Sequence, residues 1–318
     1  MVESKHQWKA WLYLSPAIIL LLVFTVWPII NTVAMAFQNN YTAGLGTAKG
    51  VKIAYEIGVE NFVNVLQYEN FGQILKNTML LCVATVPIST VLALLIAVAL
   101  NSIRPLQKFL QTIFFLPYVT NSIAIGMVFA AMFNIIGLRE GNTVADTWGI
   151  INNAIMLFGG KPINWINQGS TYWANMVVMI VYIVWNALPF KILVLLGGLQ
   201  SINKQYYEAA RVDGTSRRRI LTRITVPLLS PMIAYVVITG FIGGFKEYSS
   251  IVGIFGDTMG PKSEPGRLNT MVGFIYDSLN AGTIGAQGKA SAAALLLFGI
   301  ILVVTMINLQ VSKKRVHY

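Results

Sequence analysis

Hydrophobic residues occur along this chain in six long stretches, separated by polar segments. The stretches cover residues 11–37, 74–100, 109–136, 171–196, 229–255 and 290–310. A helix needs about 20 mainly apolar residues to cross the roughly 30 Å hydrocarbon core of a bilayer. Each stretch reaches that length, and the first is too long for a signal peptide, so we expect it to be retained. The pattern predicts an all-α polytopic membrane protein with six transmembrane helices.

Lys and Arg are distributed unequally between the two sets of connecting segments. Segments 1–10, 101–108, 197–228 and 311–318 hold thirteen Lys and Arg but three Asp and Glu. The opposite side holds eight of each when Lys76 and Lys289, at the outer ends of spans two and six, are included. Cytoplasmic segments carry the excess of Lys and Arg in membrane proteins. We therefore predict that both termini are cytoplasmic and that the segments 38–73, 137–170 and 256–288 lie outside.

The composition excludes several functional classes. Hydrophobic residues make up 55% of the chain and charged residues 11%, against about 25% in soluble domains. The net charge of +11 is therefore interpreted as a topology signal and not as nucleic-acid binding. The chain has two histidines, His6 and His317, and one cysteine, Cys82. Because these cannot form a His/Cys metal cluster or a Cys–His catalytic pair, we expect no metal site, no catalytic site and no cofactor.

The segment 201–231 has a pattern typical of two short helices. Ser201 is a candidate N-cap for the first, and Gly214 can end it in the left-handed conformation. Thr215 or Ser216 would cap the second. The segment offers no catalytic group.

Two interpretations of this segment stay open from composition alone. Its small alanines, single acid and basic edge suit a surface for another protein. Alternatively, it is an amphipathic helix that lies on the bilayer, held by Arg217–Arg219 and Arg223.

A fixed spacing within the segment resembles a known signature. Glu208-Ala209-Ala210 is followed after three residues by Gly214, then after nine by Ile224, and after one more by Val226-Pro227. This resembles the E-A-A signature of permease subunits from ABC importers of the type I, binding-protein-dependent family. The one departure is Val226, where the family has Leu.

Further segments resemble the carbohydrate-importer branch of that family, which includes the maltose and glycerol-phosphate permeases. They are Phe114-Phe115-Leu116-Pro117, Ile163-Asn164-Trp165 and Gly197-Gly198-Leu199-Gln200. The resemblance implies a multi-pass protein of a bacterial-type plasma (inner) membrane. It also implies an organisation into an N-terminal segment 1–10, a first helix with outer loop 11–73, a permease core 74–310 with its coupling loop at 201–228, and a basic tail 311–318.

The resemblance also implies a set of partners. A similar permease subunit would complete the pore, as a heterodimer, and two ATPase subunits would sit on the cytoplasmic side. The coupling helix between spans four and five would dock in a cleft of the ATPase. Glu208, Ala209, Ala210 and Gly214 would contact the ATPase. A solute-binding protein would deliver a sugar from outside, and no nucleic acid is involved.

Ionisable residues inside spans are candidates for function. Lys191 lies near the inner end of span four, so we expect it to snorkel to the interface. Lys246 and Glu247 lie in span five beside Gly243 and Gly244, which permit an unwound helix next to a cavity. Gly240 and Gly244 equally suit close helix packing.

The predicted substrate path is built around this break in span five. Phe245 and Tyr248 offer rings to a sugar, while Lys246 and Glu247 offer hydrogen bonds. Weaker candidates are Trp185 and Asn186 in span four, and Tyr118 and Asn121 in span three.

Three functional classes are candidates for this chain. The first is the permease subunit of an ATP-driven importer for a sugar or oligosaccharide. The alternative is an ion-coupled secondary transporter that uses Lys246 and Glu247, although no match between the two halves of the chain supports it. A membrane enzyme lacks catalytic groups. The E-A-A spacing favours the importer, with ATP hydrolysis on partner subunits.

Overall fold

The computed structural model describes residues 7–41, 56–103, 107–140 and 143–315. Within these ranges the helices are α1 (Gln7–Leu21), α2 (Trp27–Ala36), α3 (Glu60–Leu66), α4 (Phe71–Ser102), α5 (Gln107–Val119), α6 (Ser122–Phe133), α7 (Ile150–Leu157), α8 (Tyr172–Ser201), α9 (Lys204–Val212), α10 (Arg217–Ile220), α11 (Val226–Leu228), α12 (Ser230–Gly244), α13 (Ser249–Phe255), α14 (Met271–Asn280) and α15 (Ala286–Arg315).

Short irregular elements join some of these helices. A π-helical segment, Leu22–Val26, joins α1 to α2, and another, Leu221–Thr225, joins α10 to α11. Two antiparallel strand pairs lie in connecting segments: β1 (Gln38–Asn39) with β2 (Glu56–Ile57), and β3 (Ile135–Glu140) with β4 (Thr143–Trp148). The fold is all-α and polytopic, as predicted, although the hydrophobic pattern gave no sign of these hairpins.

Four helical segments of the described chain are long and apolar enough to cross a membrane unbroken. They are Trp8–Ala36, Phe71–Ser102, Tyr172–Ser201 and Ala286–Lys313, and they coincide with predicted spans one, two, four and six. Two further segments qualify only as bent pairs of helices. The described residues therefore contain four continuous candidate spans, or six if each bent pair counts as one.

Predicted span three is one of the bent pairs and is not a continuous helix. Its halves, Gln111–Val119 and Ser122–Phe133, meet at 104°. Asn121 is extended at the break, and its Oδ1 accepts hydrogen bonds from Ile123 N at 2.8 Å and Ala124 N at 3.4 Å. Since these N–H groups have no partner within α6, the asparagine supplies what the broken helix lacks.

One compact unit of the chain comprises Met1–Phe71 and Phe274–Phe298, as far as these are described. Within this unit Asn61 joins α3 to the end of α2, because its Nδ2 donates to Ala36 O and Gln38 O, each at 3.0 Å. Within the same unit, α1 and α2 present apolar side chains that are exposed along almost their whole length.

A cation–π contact also lies within this unit. Lys289 of α15 places its Nζ 4.6 Å from the centroid of the Tyr68 ring and 5.2 Å from that of Phe274. The two rings are themselves 4.9 Å apart. A cation over two aromatic faces is attracted by both ring quadrupoles.

The second compact unit comprises Gly72–Gly273 and Gly299–Tyr318. Its core consists of two apolar clusters, through both of which α4 and α8 run. The first cluster includes Leu81, Phe133, Met176, Met179, Tyr182, Ile183, Ile251, Ile254 and Leu268. The second cluster includes Ala93, Ala97, Leu100, Ile192, Leu195, Leu196, Leu199, Leu229 and Val236.

Helices α6 and α13 cross at a pair of glycines. A Cβ added to Gly126 would lie 2.6 Å from Gly253 Cα and 2.8 Å from its carbonyl carbon. Only two residues without side chains allow backbones to approach this closely. Helix α6 follows the helix break in predicted span three, and α13 follows the one in predicted span five, where α12 ends at Gly244. These two helices therefore pack directly on each other.

We predict that Gly126→Ala destabilises the protein, by about 1–3 kcal/mol, because the new methyl group must displace backbone and not a mobile side chain. Gly299→Ala is the matched control, since nothing lies within 4 Å of a Cβ built there. The measurement is the melting temperature of the purified protein in detergent. An unchanged melting temperature for Gly126→Ala would contradict the packing.

Candidate functional site

A cavity of about 290 Å³, here called the central cavity, lies between α4, α8 and α12. Along α4 and α8 its lining residues fall between those of the first and second apolar clusters. Since α4 has 32 residues and α8 has 30, this level is close to the middle of the membrane. The polar lining consists of Thr85, Ser89, Tyr118, Asn186, Lys191, Thr239 and Glu247.

Lys191 is the cation of the central cavity. Its side chain is 4% exposed, and its Nζ donates to Ser89 Oγ at 2.7 Å, Thr90 Oγ1 at 2.9 Å and Val86 O at 3.2 Å. An ammonium group has three donors, so these acceptors on α4 satisfy it fully. The prediction that Lys191 snorkels to the interface is wrong. Its ammonium group instead bridges α8 to α4, because three acceptors on α4 lie within hydrogen-bonding distance of it inside the protein.

The glycines of span five show both predicted features, close helix packing and an interruption of the helix. A Cβ on Gly240 would lie 3.1 Å from Val86 Cγ1 and 3.2 Å from Lys191 Nζ, and one on Gly244 would lie 2.8 Å from Cys82 Sγ. Helix α12 thus packs closely on α4 and α8 through these positions. It also ends at Gly244, so the predicted unwinding is present.

Four predicted site residues lie in the break between α12 and α13, and their side chains have different surroundings. Phe245 is buried, Lys246 is exposed, and Glu247 lines the central cavity. Tyr248 packs against the first apolar cluster. The backbone carbonyl of Glu247, which has no helical partner, accepts a hydrogen bond from the Thr270 hydroxyl at 2.8 Å.

Tyr118 and Asn186 both line the central cavity. The Tyr118 ring stacks on Phe190 with centroids 5.9 Å apart and an interplanar angle of 20°. Asn186 Nδ2 lies 3.5 Å from Ser122 Oγ, at the first residue of α6. The structure therefore brings these two residues together with Glu247 and Lys191.

Trp185 and Asn121 lie elsewhere. Trp185 packs beside the first apolar cluster, with its ring centroid 5.1 Å from that of Phe129. Asn121 is exposed and caps α6, as described above. Neither is among the residues that line the central cavity.

Sequence reasoning missed Ser89, Thr90, Phe190 and Thr239. The two adjacent hydroxyls of α4 also donate to carbonyls of their own helix, Ser89 to Thr85 O and Thr90 to Val86 O. Hydroxyls in spans commonly form such bonds, so nothing in the sequence distinguished these two. Phe190 gave one signal, since it directly precedes Lys191.

The segment between α8 and α12 forms two helices, as predicted, although the cap of the first differs from the prediction. Ser201 is the last residue of α8 and not an N-cap. Asn203 caps α9 instead, with its Oδ1 accepting from Gln205 N at 3.0 Å. Ser216 is at the N-cap position of α10, without a side-chain hydrogen bond. The cap moved because α8 extends further than its apolar stretch.

Gly214 ends α9 in the left-handed conformation that the sequence predicted, with φ +63°. The N–H of Gly214 donates to Arg211 O at 3.1 Å, and that of Thr215 to Ala210 O at 2.9 Å. These two bonds form a Schellman motif, which satisfies the last carbonyls of the helix.

The residues of the signature differ in exposure. Glu208 is exposed and shares a groove with Lys204 and Arg211, one helical turn to either side. Ala209 is exposed, whereas Ala210 is buried. The helix thus presents a small residue and one carboxylate within a basic surface.

On the opposite side of the second unit, Arg267 joins two connecting segments. Its guanidinium pairs with Glu264, donates to Ser170 O and approaches Asn175 Oδ1 at 3.3 Å. The hydrogen bond from Arg267 lowers the pKa of the Glu264 carboxyl below its usual value. Asn77 Nδ2 donates to Arg267 O at 3.0 Å, which ties the same segment to α4.

Several known proteins are similar to this chain. Residues 86–317 match a family model described as binding-protein-dependent transport system inner membrane component. The chain is 29% identical to a lactose transport system permease protein of Rhizobium radiobacter over 303 residues, covering 94% of this chain and 91% of the relative. It is 28% identical to an arabinooligosaccharides transport system permease protein of Bacillus subtilis (strain 168), covering 95% and 88%.

The fold is also similar to a solved structure. A chain in the crystal structure of a bacterial ABC transporter involved in the import of the acidic polysaccharide alginate superposes with a TM-score of 0.75. The match covers 98% of this chain and 96% of that one, at 23% identity. At this identity the likeness concerns the fold alone.

We predict that the double variant Ser89→Ala, Thr90→Val destabilises the protein by about 3 kcal/mol, because it leaves the buried Lys191 ammonium with one acceptor. Adding Lys191→Met should recover most of the loss, since no unpaired charge then remains. Thr85→Val is the control, because the Thr85 hydroxyl bonds Leu81 O and not the lysine. Melting temperatures measure all four; a triple variant less stable than the double variant would contradict the bridge.

Proposed function

The chain belongs to the family of binding-protein-dependent transport system inner membrane components, and we propose that it is the permease subunit of an ATP-driven importer for a sugar or oligosaccharide. The family match confirms the resemblance drawn from the E-A-A spacing. As a member, the chain is a multi-pass inner-membrane protein and a non-catalytic subunit. The observation that carries the proposal is the central cavity, a space at mid-membrane depth that is lined by seven polar side chains and lies between apolar clusters along α4 and α8.

The chemistry of the central cavity suits a carbohydrate. Glu247 and Asn186 can accept and donate hydrogen bonds to hydroxyl groups, and Tyr118 offers an aromatic face. Two curated relatives are named as permeases for lactose and arabinooligosaccharides, which supports a sugar as cargo. Lys246, Phe245, Tyr248, Trp185 and Asn121 stay proposed members of the path, with Glu247, Asn186 and Tyr118 nearest to its polar space.

One chain would form half of the pore, with a similar permease subunit as the other half. The cavity lining comes from α4, α5, α8 and the α12–α13 segment, and Tyr118 is 52% exposed in this single chain. A second subunit would close that exposed side.

The cytoplasmic side would receive two ATPase subunits. In the proposed coupling, α9 enters a cleft of the ATPase, with Glu208, Ala209, Ala210 and Gly214 at the contact. The Schellman motif at Gly214 supports this role, because it holds α9 and the following helix in a defined arrangement. The excess of Lys and Arg in this segment and in the terminal segments supports cytoplasmic termini.

The outer side would receive the solute-binding protein that the family name implies. The segments joined by Arg267 are candidates for that contact, since hydrogen bonds hold them to α4. The ion-coupled alternative is not favoured. The family is binding-protein-dependent, and Lys246, one of its two proposed ion-site residues, is outside the cavity lining.

We predict that Glu247→Gln lowers sugar uptake at least tenfold with normal membrane levels. The amide keeps one uncharged acceptor and replaces the other carboxylate oxygen by a donor, which weakens hydrogen bonding to sugar hydroxyls by about 1.4 kcal/mol or more. The measurement is uptake in proteoliposomes that contain the complete transporter and its binding protein. Glu69→Gln makes the same chemical change at an exposed residue that is not among those lining the central cavity, and it should transport normally. Uptake at the wild-type rate with Glu247→Gln would contradict the sugar site.

A second prediction concerns coupling. Glu208→Lys should abolish sugar-stimulated ATP hydrolysis while the permease still inserts, because the exposed carboxylate is replaced by a cation on a basic surface. Gly214→Val should do similar damage, since a β-branched residue is strongly disfavoured at φ +63°, whereas Gly214→Asn should retain most activity. Stimulated hydrolysis at the wild-type rate in Glu208→Lys would refute the role of α9.

A further inference from the structure

The segment that follows α9 is one helix from Arg217 to Leu228, here called the basic helix, and it runs sideways from the start of span five. Its axis is bent by 69° from that of α12. Twelve residues rise about 18 Å along a helix, so at this angle the basic helix extends only about 6 Å beyond α12 along the axis of α12. It therefore stays close to the level at which the span begins.

Four arginines lie on the basic helix: Arg217, Arg218, Arg219 and Arg223, all of them exposed. The sequence contains no Asp or Glu between Asp213 and Glu247. Among the residues that the structure describes, none of the four forms an ion pair with a carboxylate. This is a concentrated positive surface without an acidic partner in the described part of the chain.

Part of the basic helix is already in contact with protein. Thr225 is buried, and its hydroxyl lies 3.3 Å from the hydroxyl of Tyr207 on α9. Ile224 shares a groove with Ala209 and Ala210 of the same helix. The basic helix thus contacts α9 through Thr225, while all four arginine side chains stay exposed to another occupant.

The depth of the arginines identifies that occupant. The headgroup layer on each side of a bilayer is about 5–8 Å thick, which matches the roughly 6 Å over which the basic helix extends beyond the span. Guanidinium groups bind phosphate oxygens in a bidentate manner, and basic segments next to a cytoplasmic span end are attracted to anionic lipid.

We propose that the basic helix binds the phosphate groups of anionic phospholipids in the cytoplasmic leaflet and thereby holds α9 in position for the ATPase. The proposal rests on the proposed function, which places this side in the cytoplasm and gives α9 its coupling role. The Thr225–Tyr207 contact transmits the anchoring from lipid to α9. The two interpretations that the sequence left open for the segment 201–231 then both apply: α9 is the surface for another protein, and the basic helix lies on the bilayer.

The experiment uses the complete transporter in nanodiscs of phosphatidylcholine with increasing fractions of phosphatidylglycerol. A donor fluorophore is placed at Thr222→Cys, an exposed position between Arg219 and Arg223, in a Cys82→Ala background. Energy transfer to acceptor-labelled phosphatidylglycerol, compared with acceptor-labelled phosphatidylcholine, reports lipid enrichment at the basic helix. This readout needs neither transport nor ATP.

We expect enrichment of phosphatidylglycerol, and a loss of about fivefold in its apparent affinity for each arginine removed. Arg218→Gln with Arg219→Gln should show this loss, while Arg218→Lys with Arg219→Lys should retain most of the affinity. Lys204→Gln with Arg211→Gln removes the same charge from α9 and should leave the enrichment unchanged.

Two results would overturn the proposal. One is equal enrichment of both lipids around Thr222→Cys. The other is dissociation of the ATPase subunits from Arg218→Gln, Arg219→Gln in every lipid, which would assign the arginines to a protein surface. Normal coupling in Glu208→Lys together with phosphatidylglycerol enrichment would instead refute the coupling role of α9 and support the lipid site.

Discussion

The structure of the second unit depends on one constraint: a polar group at membrane depth must find its hydrogen-bond partners inside the protein. Lys191 meets it with three acceptors on α4, and Asn121 meets it for the freed N–H groups of α6. The carbonyl of Glu247, freed where α12 ends, receives the Thr270 hydroxyl. At both helix breaks a side chain thus bonds the freed backbone groups, the adjacent Asn121 in span three and the more distant Thr270 in span five.

These irregularities surround the central cavity. The break in span three begins next to Tyr118, and the break in span five leads to Glu247, and both side chains line the space. Continuous helices would point their backbone groups along their own axes and leave little polar surface there. Broken helices bring side chains of several spans to one level, where a hydroxyl-rich solute can exchange its water for protein partners.

The helices beyond the two breaks form a common body. Gly126 and Gly253 bring α6 and α13 into backbone contact, and Tyr182 of α8 bonds to Ser122 at the start of α6. Any rearrangement that opens the cavity on this side must therefore move both helices together or separate the glycines. On the other side, the second apolar cluster connects α4, α8 and α12 to the segment that leads to α9.

The sequence by itself determined much of this architecture. Hydropathy located the spans, Gly243 and Gly244 indicated a break, and Gly214 correctly ended α9, because each of these features depends on residues that are close together in the sequence. The spacing around Glu208 indicated the family, since it combines seven positions in one segment. Local pattern was sufficient wherever the physics is local.

The tertiary structure decided the rest. Lys191 contacts residues that are 101 to 105 positions away, and no periodicity in either span records which helices become neighbours. The same reason separates Asn186, which lines the cavity, from the adjacent Trp185, which packs in the first apolar cluster. It also sets the 69° angle of the basic helix. Burial and direction depend on the packing of distant segments, and a single helix cannot specify them.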